Sequence, residues 1–131
     1  MLASGSQIRS SMASSVLVVD DEAPVRKFIE RVLRRAGYTT ATAADGLEAL
    51  KVASSLDSLD LVVTDIIMPR MAGHELVTRL RQNRPSVKIL YLTGCADNLF
   101  KEKASLEEDE GHLQKPFTIR NLLEAVSQLT P

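Results

Sequence analysis

The chain has 131 residues, 44% of them hydrophobic and 25% charged, with 16 basic side chains against 17 acidic ones. That length fits one domain with a self-sufficient core, and a net charge of −1 argues against direct, bulk electrostatic binding to nucleic acid. A single cysteine excludes an internal disulfide, and no uncharged stretch approaches the ~20 residues of a membrane span, which together point to a reduced, cytoplasmic protein without membrane insertion.

Residues 1–14 are rich in serine and lack the apolar core of a signal peptide. They read as a flexible lead-in, a linker or an expression remnant, with the folded domain over 15–131. VLVV (16–19) then opens an alternation of short apolar runs and helical patterns. Val25, Phe28, Ile29, Val32, Leu33 and Ala36 keep the spacing of one helix face, and Gly37 follows as a left-handed stop. YTTATAA (38–44) is the second strand, and Asp45 can cap a helix carrying Leu47, Leu50 and Ala53. After LVVT (61–64), Leu76, Val77 and Leu80 mark a third helix that must end before Pro85. VKILYL (87–92) is the fourth strand. The pattern after Asp97 is weak: Leu99, Phe100, Ala104 and Leu106 are diluted by Lys101 to Lys103 and Glu107 to Glu110. It reads as a solvated helix that frays into a loop before Gly111. HLQ (112–114) is a faint fifth strand, and Thr118 caps a last helix carrying Ile119, Leu122, Leu123, Val126 and Leu129.

Strands alternating with helices imply an α/β fold, a parallel sheet covered on both faces. Right-handed crossovers bring the carboxyl ends of all strands to one edge, where open α/β sheets bind their ligands. There the first strand ends in Asp20-Asp21-Glu22, the third in Asp65, the fourth in Thr93-Gly94 and the fifth in Lys115-Pro116. Two unit charges 4 Å apart repel by ~4 kcal/mol at an effective dielectric of ~20. Clustered carboxylates therefore need a cation to stay ionised. An oxygen-only set suits Mg²⁺ better than zinc, and His74, His112 and Cys95 show no zinc-ligand spacing. No glycine-rich phosphate loop follows the first strand, so a phosphoryl group bridged by Mg²⁺ fits where a bound nucleotide does not. Each piece also has a plainer use: an aspartate can cap a helix, Lys-Pro can punctuate, and Thr-Gly can turn. The chemistry rests on the set.

VLVVDDEAPVR, LVVTDIIMPRMAGHEL, ILYLTG and LQKPF, in that order, resemble the receiver domain of two-component response regulators, the CheY-like superfamily, over about Ser15 to Leu129. YLTGCADN and LQKPFT most resemble receivers of hybrid histidine kinases. The resemblance implies a doubly wound, flavodoxin-like (βα)5 fold, with a five-stranded parallel sheet of order 2-1-3-4-5 and helices on both faces. It implies that Asp65 accepts a phosphoryl group from a phosphohistidine. It also implies that Asp21, Asp65 and the backbone carbonyl of Ile67 hold Mg²⁺, with Asp20 acting directly or through water. Lys115 would pair with the phosphate, and Thr93 would donate its hydroxyl. The implied partner is a histidine kinase or a histidine phosphotransfer protein. The output partner is unnamed and a homodimer on phosphorylation is left open. Such a domain is no enzyme beyond its own phosphorylation and dephosphorylation.

His112 departs from the pattern, standing where the family carries a tyrosine or phenylalanine that rotates inward with Thr93. Its imidazole is smaller and charges near pH ~6.5, so it is either a partly exposed strand residue or a polar switch. Ile67 offers no polar group to orient an attacking water, which predicts slow self-dephosphorylation. Cys95 is expected as a small buried filler and His74 as a surface residue. Met68, Pro69, Met71 and Gly73 read as loop shape. Two other functions stay open. A Mg²⁺ phosphatase with an aspartyl nucleophile would want D-x-D after the first strand, whereas here the pair is adjacent and the acceptor follows the third. A phosphorylation-silent interaction module fits poorly with an intact Asp20, Asp21, Asp65, Thr93 and Lys115 set. The near-neutral total is a balance of segregated charge, since Arg26, Lys27, Arg31, Arg34 and Arg35 load the first helix as a docking surface beside the acidic rim.

Overall fold

The computed structural model describes residues 14–68, 70–94 and 110–131. The order of elements is β1 (Ser15–Val19), α1 (Ala23–Arg35), β2 (Thr39–Ala43), α2 (Gly46–Ser54), β3 (Leu61–Asp65), α3 (Gly73–Asn83), β4 (Lys88–Thr93), β5 (Glu110–Gln114) and α4 (Ile119–Leu129). All strand pairs are parallel and the sheet runs β2-β1-β3-β4-β5. The chain order reverses between β1 and β3, the switch point at which such sheets open a crevice. Pro69, Cys95 and the weak helical pattern after Asp97 lie outside the described residues, as does 1–13.

The period of two along a strand divides the core into two layers. Leu17, Val19, Val62, Ile89 and Tyr91 face α2 and α3, meeting Ala49, Ala53, Leu76, Val77 and Leu80. Val16, Val18, Leu61, Val63, Leu90 and Leu92 face α1 and α4, meeting Ile29, Val32, Leu33, Leu122 and Val126. The central strands read as unbroken apolar runs because both faces are covered. Helix α1 ends as expected: Gly37 sits at φ 101°, its N–H reaches Arg34 O at 3.0 Å, and Tyr38 N–H reaches Leu33 O at 3.0 Å. That pair of bonds is a Schellman closure. Asp45 and Thr118 cap α2 and α4, accepting from Glu48 N at 2.8 Å and Asn121 N at 3.0 Å.

Three expected core residues are not core. Leu47 is 50% exposed, and Phe28 and Ile119 are exposed as well. In each case the helix buries a narrower face than hydrophobicity suggests. Helix α2 sets the small side chains of Ala49 and Ala53 against the sheet, which turns Leu47 outward. The fifth strand also begins earlier than expected, at Glu110 rather than His112. Glu110 pairs in register with Ile89, and its carboxylate accepts from Arg81 Nη1 at 2.7 Å. A tertiary ion pair thus brings into the ladder a residue whose charge alone reads as loop.

Candidate functional site

Backbone bonds at the carboxyl edge extend the sheet one step past its strands. Asp20 N–H donates to Ala43 O at 3.2 Å, Ile66 N–H to Leu92 O at 3.2 Å, and Lys115 N–H to Thr93 O at 2.7 Å. These bonds fix the segments that carry Asp20, Asp65 and Lys115, which lie far apart in sequence. One oxygen from each of Asp20, Asp21 and Asp65 falls within 4.8 Å of the others. Asp20 is fully buried, Asp65 partly buried and Asp21 exposed.

Lys115 is the counter-ion of this group. Its Nζ lies 3.0 Å from Asp20 Oδ2, 3.1 Å from Asp65 Oδ2 and 3.3 Å from Glu22 Oε1. Burial would lower the Lys115 pKa, but the hydrogen bond and charge of Asp20, followed by the charge of Asp65, win and raise it above its ordinary value. Burial and the neighbouring Asp20 charge raise Asp65 as well, to about 6, against the opposing pull of Lys115, so the carboxyl is pushed toward neutrality while the ammonium keeps its charge. The two shifts differ in kind because one ammonium is shared among three carboxylates. It cannot offset the desolvation of Asp65 in full. Surplus negative charge on oxygen ligands is what a divalent cation relieves, so the residues present fit a metal ion.

Thr93 ends β4 at the same edge. It is fully buried, and its Oγ1 has no hydrogen-bond partner among the described residues. An orphaned buried hydroxyl costs about 1–3 kcal/mol, a cost that an incoming oxygen acceptor would remove. The loop after Asp65 is held by a close approach. A Cβ on Gly73 would lie 2.4 Å from Asp65 O and 3.2 Å from Ile66 Cα, and Gly73 N–H donates to Ile66 O at 2.8 Å. In this loop the Ile67 side chain is 67% exposed. Arg70 adopts φ 72°, and its guanidinium bonds Asp45 Oδ2.

The sequence places Asp20, Asp21, Glu22, Asp65 and Lys115 on one rim, and the structure gathers them there; the sequence also assigns Arg26 to a docking face and gives Arg70 no partner. Arg26 Nη1 donates to Asp20 O at 2.7 Å, so this cation belongs to the acidic loop rather than to a docking face. Glu22 turns its carboxylate to Lys115, and Arg70 ties the Asp65 loop to the start of α2. No local pattern signals these links, since each partner is set by the tertiary fold. His112 is exposed and lies beside Tyr91 in register. His74 is exposed at the start of α3, and its ring stacks on Tyr91 at 5.1 Å between centroids. Beside Lys115, Pro24, Val25, Phe28, Pro116 and Phe117 line an apolar groove. No helix among the described residues is long and apolar enough to cross a membrane.

The sequence matches the family described as response regulator receiver domain over residues 16–127. It is 36% identical over 120 residues to the sensor kinase CckA of Brucella abortus, covering 91% of this chain and 13% of that one. It is 39% identical over 113 residues to the response regulator MprA of Mycobacterium ulcerans, covering 86% of this chain and 48% of the other. The chain therefore spans a small part of the first relative and about half of the second. Among solved structures, the crystal structure of the receiver domain from the hybrid histidine kinase CckA superposes with a TM-score of 0.73 at 32% identity, covering 89% of this chain and all of that one.

Proposed function

The chain belongs to the response regulator receiver domain family, and from that membership we propose that Asp65 accepts a phosphoryl group from a phosphohistidine of a histidine kinase or histidine phosphotransfer protein, in the cytoplasm. The observation that carries this reading is Lys115 Nζ at 3.1 Å from Asp65 Oδ2 within a cluster of three aspartates. In this reading Asp20, Asp21, Asp65 and the Ile67 carbonyl hold Mg²⁺. When bound, the ion neutralises charge on the phosphoryl oxygens.

The chain's own residues do the rest. An ionised Asp65 oxygen attacks phosphorus in line and the imidazole nitrogen leaves, so the product is a mixed anhydride. Lys115 follows the charge from the carboxylate to the phosphoryl oxygens, and Thr93 donates its unpartnered hydroxyl to one of them. Thr93 is unpartnered before the group arrives and needs little reorganisation to donate, whereas Lys115 must shift from its carboxylate contacts. Occupying Thr93 would draw on the end of β4, and the neighbouring pair Tyr91 and His112 would carry that change toward β5. The domain serves as an acceptor and switch, with no turnover of outside substrates. Incubation with Mg²⁺ and acetyl phosphate should give a stoichiometric ~80 Da adduct that is absent in Asp65→Asn. Sustained phosphate release would instead indicate a phosphatase, and no adduct would indicate a silent module.

A further inference from the structure

We propose that the Glu22 carboxylate competes with the incoming phosphoryl group for Lys115, holding the ammonium in the unphosphorylated state and slowing transfer to Asp65. The inference rests on the phosphoacceptor reading above and adds a residue to it. Lys115 Nζ donates to Asp65 Oδ2 at 3.1 Å and to Glu22 Oε1 at 3.3 Å, and it lies 3.0 Å from Asp20 Oδ2 as an ion pair. A phosphoryl oxygen that draws Lys115 toward itself competes with these contacts. Asp20 is fully buried, so breaking its contact would leave a desolvated charge. Asp65 is the acceptor, and its oxygen becomes part of the anhydride. Glu22 makes the longest of the three contacts, at 3.3 Å, and its side chain is 61% exposed. It returns to water at the least cost. Glu22 also occupies the N-cap of α1 without making a side-chain capping bond. Its side chain reaches instead to a residue 93 positions away.

The chemical step is a displacement at phosphorus. An Asp65 oxygen forms the new O–P bond as the bond from phosphorus to the leaving oxygen breaks, and with acetyl phosphate the electron pair departs on acetate. A phosphoryl dianion then lies beside Glu22. Glu22 opposes it by contact, since it occupies an N–H of Lys115, and by charge. It acts through Lys115 and is a positioning residue. Side-chain length separates the two effects, because aspartate keeps the charge but is one methylene short.

The test measures adduct formation by intact mass with acetyl phosphate at saturating Mg²⁺, for wild type, Glu22→Gln and Glu22→Asp. Both variants should phosphorylate roughly two- to five-fold faster, the scale of one exposed ion pair. In metal-free protein the ε-carbon resonance of Lys115 should shift in both variants before any phosphate is added. Both variants at the wild-type rate would overturn the proposal. So would a slow Glu22→Asp beside a fast Glu22→Gln, which would assign the effect to charge without contact. A wild type that takes up no phosphate would overturn the phosphoacceptor reading, and this proposal with it.

Discussion

Asp65 is held in a site that resists its ionisation, and this sets the sign of a pH effect. Its folded pKa of about 6 lies above the ordinary 3.8, so folding favours the protonated form. The stability this gives is fully present below pH ~4 and is lost as pH rises through about 6, a difference of up to about 3 kcal/mol. In metal-free protein at pH 7.5, Asp65→Asn should therefore raise stability by about 1–2 kcal/mol. At pH 4 it should give no gain. Urea titrations at the two pH values measure this, and equal effects would contradict the desolvation argument. Thr93 gives a second case. Thr93→Val removes a buried hydroxyl that lacks a partner among the described residues, so stability should hold or rise by about 1 kcal/mol. Any stabilisation that phosphorylation brings to wild type should shrink in this variant, as thermal melts with and without acetyl phosphate would report. Asp20, Asp21, Asp65, Thr93 and Lys115 were all legible in the sequence, because each lies at or just past the carboxyl end of an expected strand. The role of Arg26 was not, because an arginine on a helix looks the same whether it faces water or a partner, and the contact of Glu22 with Lys115 was not, because its partner lies 93 positions away.

At the scale of elements, the loop from β3 to α3 leaves no room for a side chain at Gly73. Gly73→Ala would press a methyl group against Asp65 O, 2.4 Å away with the backbone unmoved. A clash against backbone cannot be relieved by a rotamer, so we expect a loss of about 1–3 kcal/mol. Weaker Mg²⁺ binding should accompany it, because the Asp65 carbonyl must move; calorimetric titration checks this, and unchanged affinity would show that the loop can yield elsewhere. The helices give the opposite contrast. Leu47→Gln should change stability by less than about 0.5 kcal/mol, whereas Leu33→Ala, a fully buried site, should cost about 2–5 kcal/mol. Periodicity located every described helix, and it placed Leu47, Phe28 and Ile119 on faces that the structure leaves exposed. A helix of nine residues offers two or three buried positions, and their rotation about the axis depends on what the sheet presents. The start of β5 was hidden for a similar reason, since Glu110 enters the ladder through its ion pair with Arg81.

At the scale of the whole molecule, a cation held by the acidic edge would couple metal binding to folding. A cation bound only by the native state stabilises it by mass action, by about 2.7 kcal/mol at a hundred-fold excess over Kd. The melting temperature should rise with Mg²⁺, and Asp21→Asn, exposed and outside the core, should weaken that rise while leaving the metal-free fold intact. A rise of equal size in this variant would place the ion elsewhere. The net charge of −1 hides this separation of charges. It is a sum, and the site depends on where its parts are gathered. The sequence by itself determined the α/β alternation, the parallel sheet and the family, along with the residues at the strand ends. These follow from short-range patterning, from the handedness of crossovers and from motifs whose order along the chain is preserved. Only the tertiary structure decided which carboxylates share Lys115, that Arg26 supports the acidic loop, and which helical apolar residues stay in water. Those outcomes depend on distances between elements far apart in sequence, where a few tenths of an ångström and the loss of water set which charged partner wins.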